Sequence, residues 1–179
     1  MKRKGVFLIL SALVLTLDQA AKAWATQSLQ PIGSLDIIPS LFRLSYARNR
    51  GVAFSLFADS PFNMQWLLAG ISLAAAVAVA VYLSRTGASH SRLNLALALL
   101  LAGITGNLID RIRLGEVVDF LDFHLADRVT WPTFNVADAA ICIGAAILAV
   151  DLLRDEKPAS MVAEGPPPAP EETGITSSD

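Results

Sequence analysis

Two aspartates occupy places where a carboxylate is costly. Asp138 stands near the start of the apolar run from Val136 to Leu153, within Phe134-Asn135-Val136-Ala137-Asp138. Asp119 lies just beyond another apolar run, within Gly115-Glu116-Val117-Val118-Asp119-Phe120. A carboxylate at the centre of a bilayer costs roughly 2.5–3.5 kcal/mol on insertion scales, and less near the edge, so such a residue is a functional candidate whose partner must be named. Here the natural partner of each aspartate is the other. Two close carboxylates resist ionising together. One keeps a proton while the other takes one from water, which is chemistry suited to amide hydrolysis.

Other polar residues gather near the same ends of the apolar runs. Asp18 and Lys22 lie in the first run, Asn107 and Asp110 close the third, and Asn135 and Asp138 open the fourth. Asn49 and Asp119 come from the connecting segments. Each also has an ordinary reading. Asp18 and Lys22 are four apart on one helix face, a natural ion pair. Asn135 and Asp138 have the spacing of a helix cap and a capping-box carboxylate. Asp110 and Arg111 can be an interfacial pair. Asp119 and Asp122 lie three apart in Asp-Phe-Leu-Asp-Phe, and spacing does not say which faces inward. His90 and His124 are expected at the surface, and Cys142, the single cysteine, as a buried inert thiol. No cysteine, histidine and glutamate group has metal-ligand spacing. No serine sits beside a paired base, and no Gly-rich loop follows a strand. Neither metal nor cofactor is expected, and no nucleic-acid partner.

The elements that must position these residues are membrane spans. The chain has 179 residues, 54% hydrophobic and only 17% charged, with mean hydropathy +0.52. A soluble domain would carry about a quarter charged residues. Four stretches, 5–25, 64–83, 93–109 and 136–153, approach the ~20 apolar residues a crossing needs. An even number of spans puts both termini on one side. Lys2-Arg3-Lys4 argues that this side is cytoplasmic. The overall count helps little, because seven basic residues, Lys2, Arg3 and Lys4 among them, would lie inside and six outside. In this topology the polar residues above converge at one depth, just below the outer surface.

Between the first two spans, Phe42, Leu44 and Tyr46 alternate with Arg43, Ser45 and Ala47, a half-buried strand pattern punctuated by prolines and glycines. Strands are expected within 27–63 and again within 111–133. A four-helix membrane domain over 1–157 would be followed by a tail, 158–179. That tail holds five of the nine prolines and is too polar to order itself. From Asp155 onward the charge is −5, leaving +3 on the body. The N-terminus also resembles a cleavable secretory signal ending at Ala23-Trp24-Ala25. The apolar character through Ala25 is long enough to span.

Taken together, five stretches resemble bacterial lipoprotein signal peptidase, also called signal peptidase II. They are Asp18-Gln19-Ala20-Ala21-Lys22, Asn49-Arg50-Gly51-Val52-Ala53-Phe54-Ser55, the stretch from Gly103 to Arg111, the stretch from Gly115 to Phe120, and Phe134 to Asp138. Ala21 departs from the Ser or Thr of many members. The resemblance spans residues 5 to about 153. It implies an all-α integral membrane protein of four transmembrane helices with a small extracytoplasmic β-sheet, the cradle, between helices 1 and 2. It places the catalytic pair on Asp119 and Asp138. Supporting or substrate-binding roles fall on Asp18, Lys22, Asn49, Gly51, Phe54, Gly103, Asn107, Asp110, Arg111 and Asn135. The implied substrates are diacylglyceryl-modified prolipoproteins, cut just before the lipidated cysteine by an aspartic endopeptidase of the bacterial inner membrane. Membrane lipids and a cyclic-peptide inhibitor of the family are further expected partners. Two other classes compete on the residues alone: a small transporter with Asp18, Lys22 and Asp138 along an ion path, and a scaffold whose polar residues join helices. The chain lacks an internal repeat of the transporter kind, and its acids cluster towards one membrane face.

Overall fold

The computed structural model describes residues 2–51, 64–125 and 129–155. Phe54 and the segment 158–179 lie outside the described residues. The elements run α1 (Lys2–Ser28), β1 (Ser34–Ile38), β2 (Phe42–Asn49), α2 (Met64–Arg85), α3 (Ser91–Leu114), β3 (Val117–Leu125), β4 (Val129–Thr130) and α4 (Val136–Asp155). All four helices are long and apolar enough to cross a membrane.

The bundle is built around α3, which packs against α1, α2 and α4. Of α3's span 56% is buried, against 17% in each of the others. Its buried face is mostly small, with Ala96, Ala98, Ala102, Gly103 and Gly106, and small residues let helix backbones approach closely. The other helices turn large apolar side chains outward, among them Leu13 and Leu17 on α1, Ile71 and Val77 on α2, and Ile143 on α4. Water would not tolerate such a surface, but lipid does. This inversion also corrects the expectation for Cys142. It is exposed on α4, because an apolar run in a bilayer has no default reason to face inward.

α3 runs five residues past the expected end at Ile109. Asp110 suggested a boundary in the sequence. In the fold it is buried and paired with Lys22, so the helix carries it without meeting water. The helix stops at Gly115, whose φ of 80° and amide bond to the Arg111 carbonyl form a left-handed cap. Arg111 and Arg113 in the last turn suit the negative end of the helix dipole.

The sheet caps one end of the bundle in the order β1-β2-β3-β4, all antiparallel. It draws strands from both connections on that side, so it is broader than a cradle lying only between the first two helices. Ala25 of α1, Leu29 just after it, Phe120 of β3, and partly buried Leu44, Tyr46 and Val136 form the apolar cluster that seats it on the bundle. Each fully buried side chain of this size contributes about 1.5–3 kcal/mol. The expected alternation in β2 is interrupted. Leu44 pairs with Leu121 but Ala47 pairs with Asp119, so β2 carries one extra residue, a bulge. His124, expected at the surface, is buried at 5% exposure in β3, where its amide bonds to the Leu41 carbonyl.

Trp24 in the last turns of α1, Trp66 in the first turn of α2 and Trp131 beside β4 all lie at the sheet end and are all exposed. Tryptophan favours the membrane–water boundary, so the sheet end sits at such a boundary.

Candidate active site

The chain just before α4 is stitched to β3. The Phe134 carbonyl accepts from the amides of Phe120 and Leu121, and the Phe134 amide donates to Leu121. Phe123 stacks on Phe134 with ring centroids 6.0 Å apart. This short pairing sets Asn135, the residue before α4, beside Asp119 of β3.

Asn135 caps the helix. Its Oδ1 accepts the Asp138 amide at 2.9 Å, while the Asp138 Oδ2 accepts the Asn135 amide at 3.2 Å. That is a reciprocal capping box. The first-turn amide of Ala137 donates to Oδ1 of Asp18, from α1, at 2.8 Å. The cap does not exhaust Asn135, because its Nδ2 donates to Asp119 Oδ1 at 2.6 Å and to Asn107 Oδ1 at 3.3 Å. Asn107, from α3, donates in turn to Asp138 Oδ1 at 2.7 Å. Asn49, the last residue of β2, donates to Asp119 Oδ2 at 3.0 Å. Its own Oδ1 accepts the Gly51 amide at 2.8 Å, which fixes the direction of the amide group. Gly51 makes this possible with φ of 74°.

Behind Asn107 lies a buried charge cluster. Lys22 Nζ is 3.0 Å from Asp18 Oδ2, 2.9 Å from Asp110 Oδ2 and 2.9 Å from Asn107 Oδ1. An ammonium has three hydrogens, and all three are used. Because Lys22 donates to the oxygen of Asn107, the nitrogen of that amide must face Asp138. Asp110 also receives the Val118 amide, tying α3 to β3 next to Asp119. Asp18 and Lys22 therefore form the internal pair their spacing suggests, and the pair is part of the same network.

Two glycines allow this closeness. A Cβ on Gly103 would strike the Ala137 carbonyl and Ile141 of α4. One on Gly106 would sit 2.6 Å from Asp18 Oδ2 and 3.2 Å from the Ala137 methyl. The start of α4 thus lies directly against α3.

Asp119 is 1% exposed. Burial raises its carboxyl from 3.8 to about 6, and the charge of Asp138 adds to the rise, while the Asn49 and Asn135 amides and the Lys22 ammonium oppose it. A cavity of about 400 Å³ opens beside it, lined by Ala47, Arg48, Asn49, Arg50, Pro132 and Thr133. A second cavity, about 380 Å³ between α1, α3 and the sheet, reaches Lys22 and Asp110. Among the described residues, no group of three or more His, Cys, Asp or Glu side chains could hold a metal ion.

The structure thus gathers Asp18, Lys22, Asn49, Asn107, Asp110, Asp119, Asn135 and Asp138 into one hydrogen-bonded group. Gly51 and Gly103 shape it. Arg111 lies apart, donating to Ser72 Oγ at 3.3 Å and to the Asn107 carbonyl at 3.4 Å. It does not form the pair with Asp110 that adjacency suggested. Asp122, the rival of Asp119, instead accepts from Arg43 at 2.6 Å and Ser45 at 3.3 Å. Sequence reasoning missed Gln19 and Glu116. Gln19 Nε2 spans Asp18, the Gly106 carbonyl and Asp110 at 3.1–3.3 Å. A glutamine beside Asp18 in an apolar helix was the available signal. Glu116 offered none.

Comparison with known proteins agrees with this fold. The family Signal peptidase (SPase) II matches residues 10–154. A lipoprotein signal peptidase of Geobacter metallireducens is 40% identical over 152 residues, covering 85% of this chain and 93% of that protein. One of Pseudomonas fluorescens is 44% identical over 151 residues, covering 84% and 89%. A solved bacterial membrane enzyme, determined in meso at 1.9 Å resolution, superposes with TM-score 0.73 at 28% identity, covering 84% of this chain and 94% of its own. A second, at 2.3 Å resolution, gives TM-score 0.72 at 27% identity, covering 86% and 90%. With four membrane-spanning helices, a sheet at one end and these relatives, the chain is a multi-pass bacterial membrane protein of the signal peptidase II family.

Proposed function

We propose that this protein is an aspartic endopeptidase that removes the signal peptide from diacylglyceryl-modified prolipoproteins, cutting before the lipidated cysteine. The observation that carries the reading is the amide bridge. Asn135 holds Asp119 through its side chain and Asp138 through its backbone, so two carboxylates from different elements belong to one rigid unit beside a cavity.

The chemistry follows from that unit. Burial disfavours charge on Asp119. We assign the acid role to Asp119, whose carboxyl burial raises to about 6. Asp138 then accepts a proton from the attacking water. Asp119 donates to the oxygen of the scissile carbonyl as the tetrahedral intermediate forms. Return of a proton to the leaving amine completes the cleavage. The lipid chains hold the modified cysteine at the membrane boundary, where the sheet end also lies, so the bond before it arrives at the depth of the pair. The amides of Asn49, Asn107 and Asn135 fix the carboxylates without reorganising during the reaction. The site faces the outer side of the inner membrane, and both termini are cytoplasmic, following the basic residues at 2–4. The cyclic-peptide inhibitor of the family would occupy the cavity over Asp119, and membrane lipids would contact the outward apolar faces.

The test is incubation of the purified protein in detergent micelles with matched precursors that carry or lack the diacylglyceryl group. We expect the lipidated precursor alone to be cut, with the cysteine as the new N-terminus. Equal cutting of both precursors, or a cut elsewhere, would contradict the substrate assignment. Ion flux in liposomes without cleavage would favour a transporter.

A further inference from the structure

Glu116 is a buried acid outside the group described above, at 4% exposure in the turn between α3 and β3. Its carboxylate meets the Arg48 guanidinium and lies 3.4 Å from Arg50 Nε. Those arginines flank Asn49. In the register Asn49 faces Val117 and Arg48 faces Val118, so Arg50 falls opposite Glu116. Residues alternate between the faces of a strand. Arg48, Arg50, Glu116 and Val118 therefore share one face, while Asn49 and Asp119 share the other. Asn49 is the last residue of β2, where a ladder is most prone to open. The Arg48 and Arg50 side chains are 54% and 80% exposed, so as surface pairs they contribute little to overall stability. Their effect is local. They close the strand end at the residue that donates to Asp119.

We propose that Glu116 is a positioning residue: by gripping Arg48 and Arg50 on one face of the sheet, it holds the Asn49 amide on Asp119 on the other face. This rests on the assignment of Asp119 and Asp138 as the reacting pair. The groups facing Asp119 are Asn49 from β2, Asn135 and Asp138 from the start of α4, and Lys22 from α1. Of these, the clamp governs only Asn49. The Asn49 bond favours the ionised carboxylate, so loosening it raises the pH at which Asp119 loses its proton.

The experiment measures kcat, KM and the alkaline limb of the pH–rate profile on a lipidated precursor. The variants are Glu116→Gln, Asn49→Ala, their combination and Asp119→Asn. Glu116→Gln keeps the volume and removes the charge that grips both arginines. It should lower kcat by about 3- to 10-fold, as a small misplacement does, with KM little changed. Its alkaline limb should move upward, in the direction given by Asn49→Ala. In the Asn49→Ala background it should add nothing. Parent-like kcat and limb, or full additivity with Asn49→Ala, would overturn the clamp. If Glu116→Gln fails to fold, Arg50→Met, at an exposed site, carries the same expectation and the same refutation. An active Asp119→Asn variant would instead overturn the reacting pair, whatever Glu116 does.

Discussion

Asn135 Nδ2 lies 2.6 Å from Asp119 Oδ1, while the backbone amide of the same Asn135 is bound by Asp138. One residue is both the cap of α4 and the link between two carboxylates. The two roles can be separated. Serine is also a good cap, but it is too short to reach Asp119. Asn135→Ser should keep folding stability within about 1 kcal/mol while lowering turnover by about 10- to 100-fold. Thermal unfolding in detergent and precursor cleavage measure the two effects. Equal activity would show that the cap alone matters.

The buried Asp119 makes stability depend on pH. Its carboxyl is raised from 3.8 to about 6, so the folded state prefers the neutral form. That contribution is fully present below about 3.8 and is lost as pH rises through about 6. The shift corresponds to at most about 3 kcal/mol. Asp119→Asn sheds this cost and forfeits one donor–acceptor match of about 1 kcal/mol. It should therefore unfold at a higher temperature than the parent at pH 8, and no higher at pH 4. The same deficit relative to the parent at both pH values would contradict the burial argument.

Lys22 holds together Asp18, Asp110 and Asn107. Lys22→Met leaves two buried carboxylates without their cation, a loss of about 3–5 kcal/mol. It also loosens the Asn107 amide, whose oxygen then keeps only the 3.3 Å bond from Asn135 Nδ2. We expect both melting temperature and activity to drop. Lys22→Met combined with Asp110→Asn should regain stability but not activity, because Asn107 remains unlocked. Restored activity in that pair would remove Lys22 from the account of Asp138.

Gly103→Ala would press a methyl against the Ala137 carbonyl. Overpacking of this kind costs about 1–3 kcal/mol. Because Asp138 follows Ala137 directly, activity should fall further than the loss of folded protein explains. Cleavage per folded molecule is the quantity to compare.

The helices were legible because lipid demands long apolar runs, and each observed span contains the expected one. Their ends were less so. Asp110 looked like an exit from the membrane, yet Lys22 lets it stay buried within α3. The pattern Asn135 to Asp138 announced its capping box, and the structure adds that the same asparagine reaches Asp119. The choice of Asp119 over Asp122 came from resemblance and not from spacing. In the structure Asp119 lies within reach of Asn49 and Asn135, while Asp122 faces Arg43. The β2 bulge between Leu44 and Ala47 leaves no mark in composition, so that register could not be read from alternation. Glu116 was invisible for a similar reason, since its arginines are distant in sequence. The exposure of Cys142 reflects a solvent that reverses the usual inside–outside rule.

The pairing of Asp119 with Asp138 is tested most directly by replacing each alone with asparagine and following cleavage of a diacylglyceryl-modified precursor by purified, folded protein. Each variant should lose about 10²–10⁴-fold in turnover while still inserting and binding the precursor. Cleavage by either variant at near the parent rate would contradict the account.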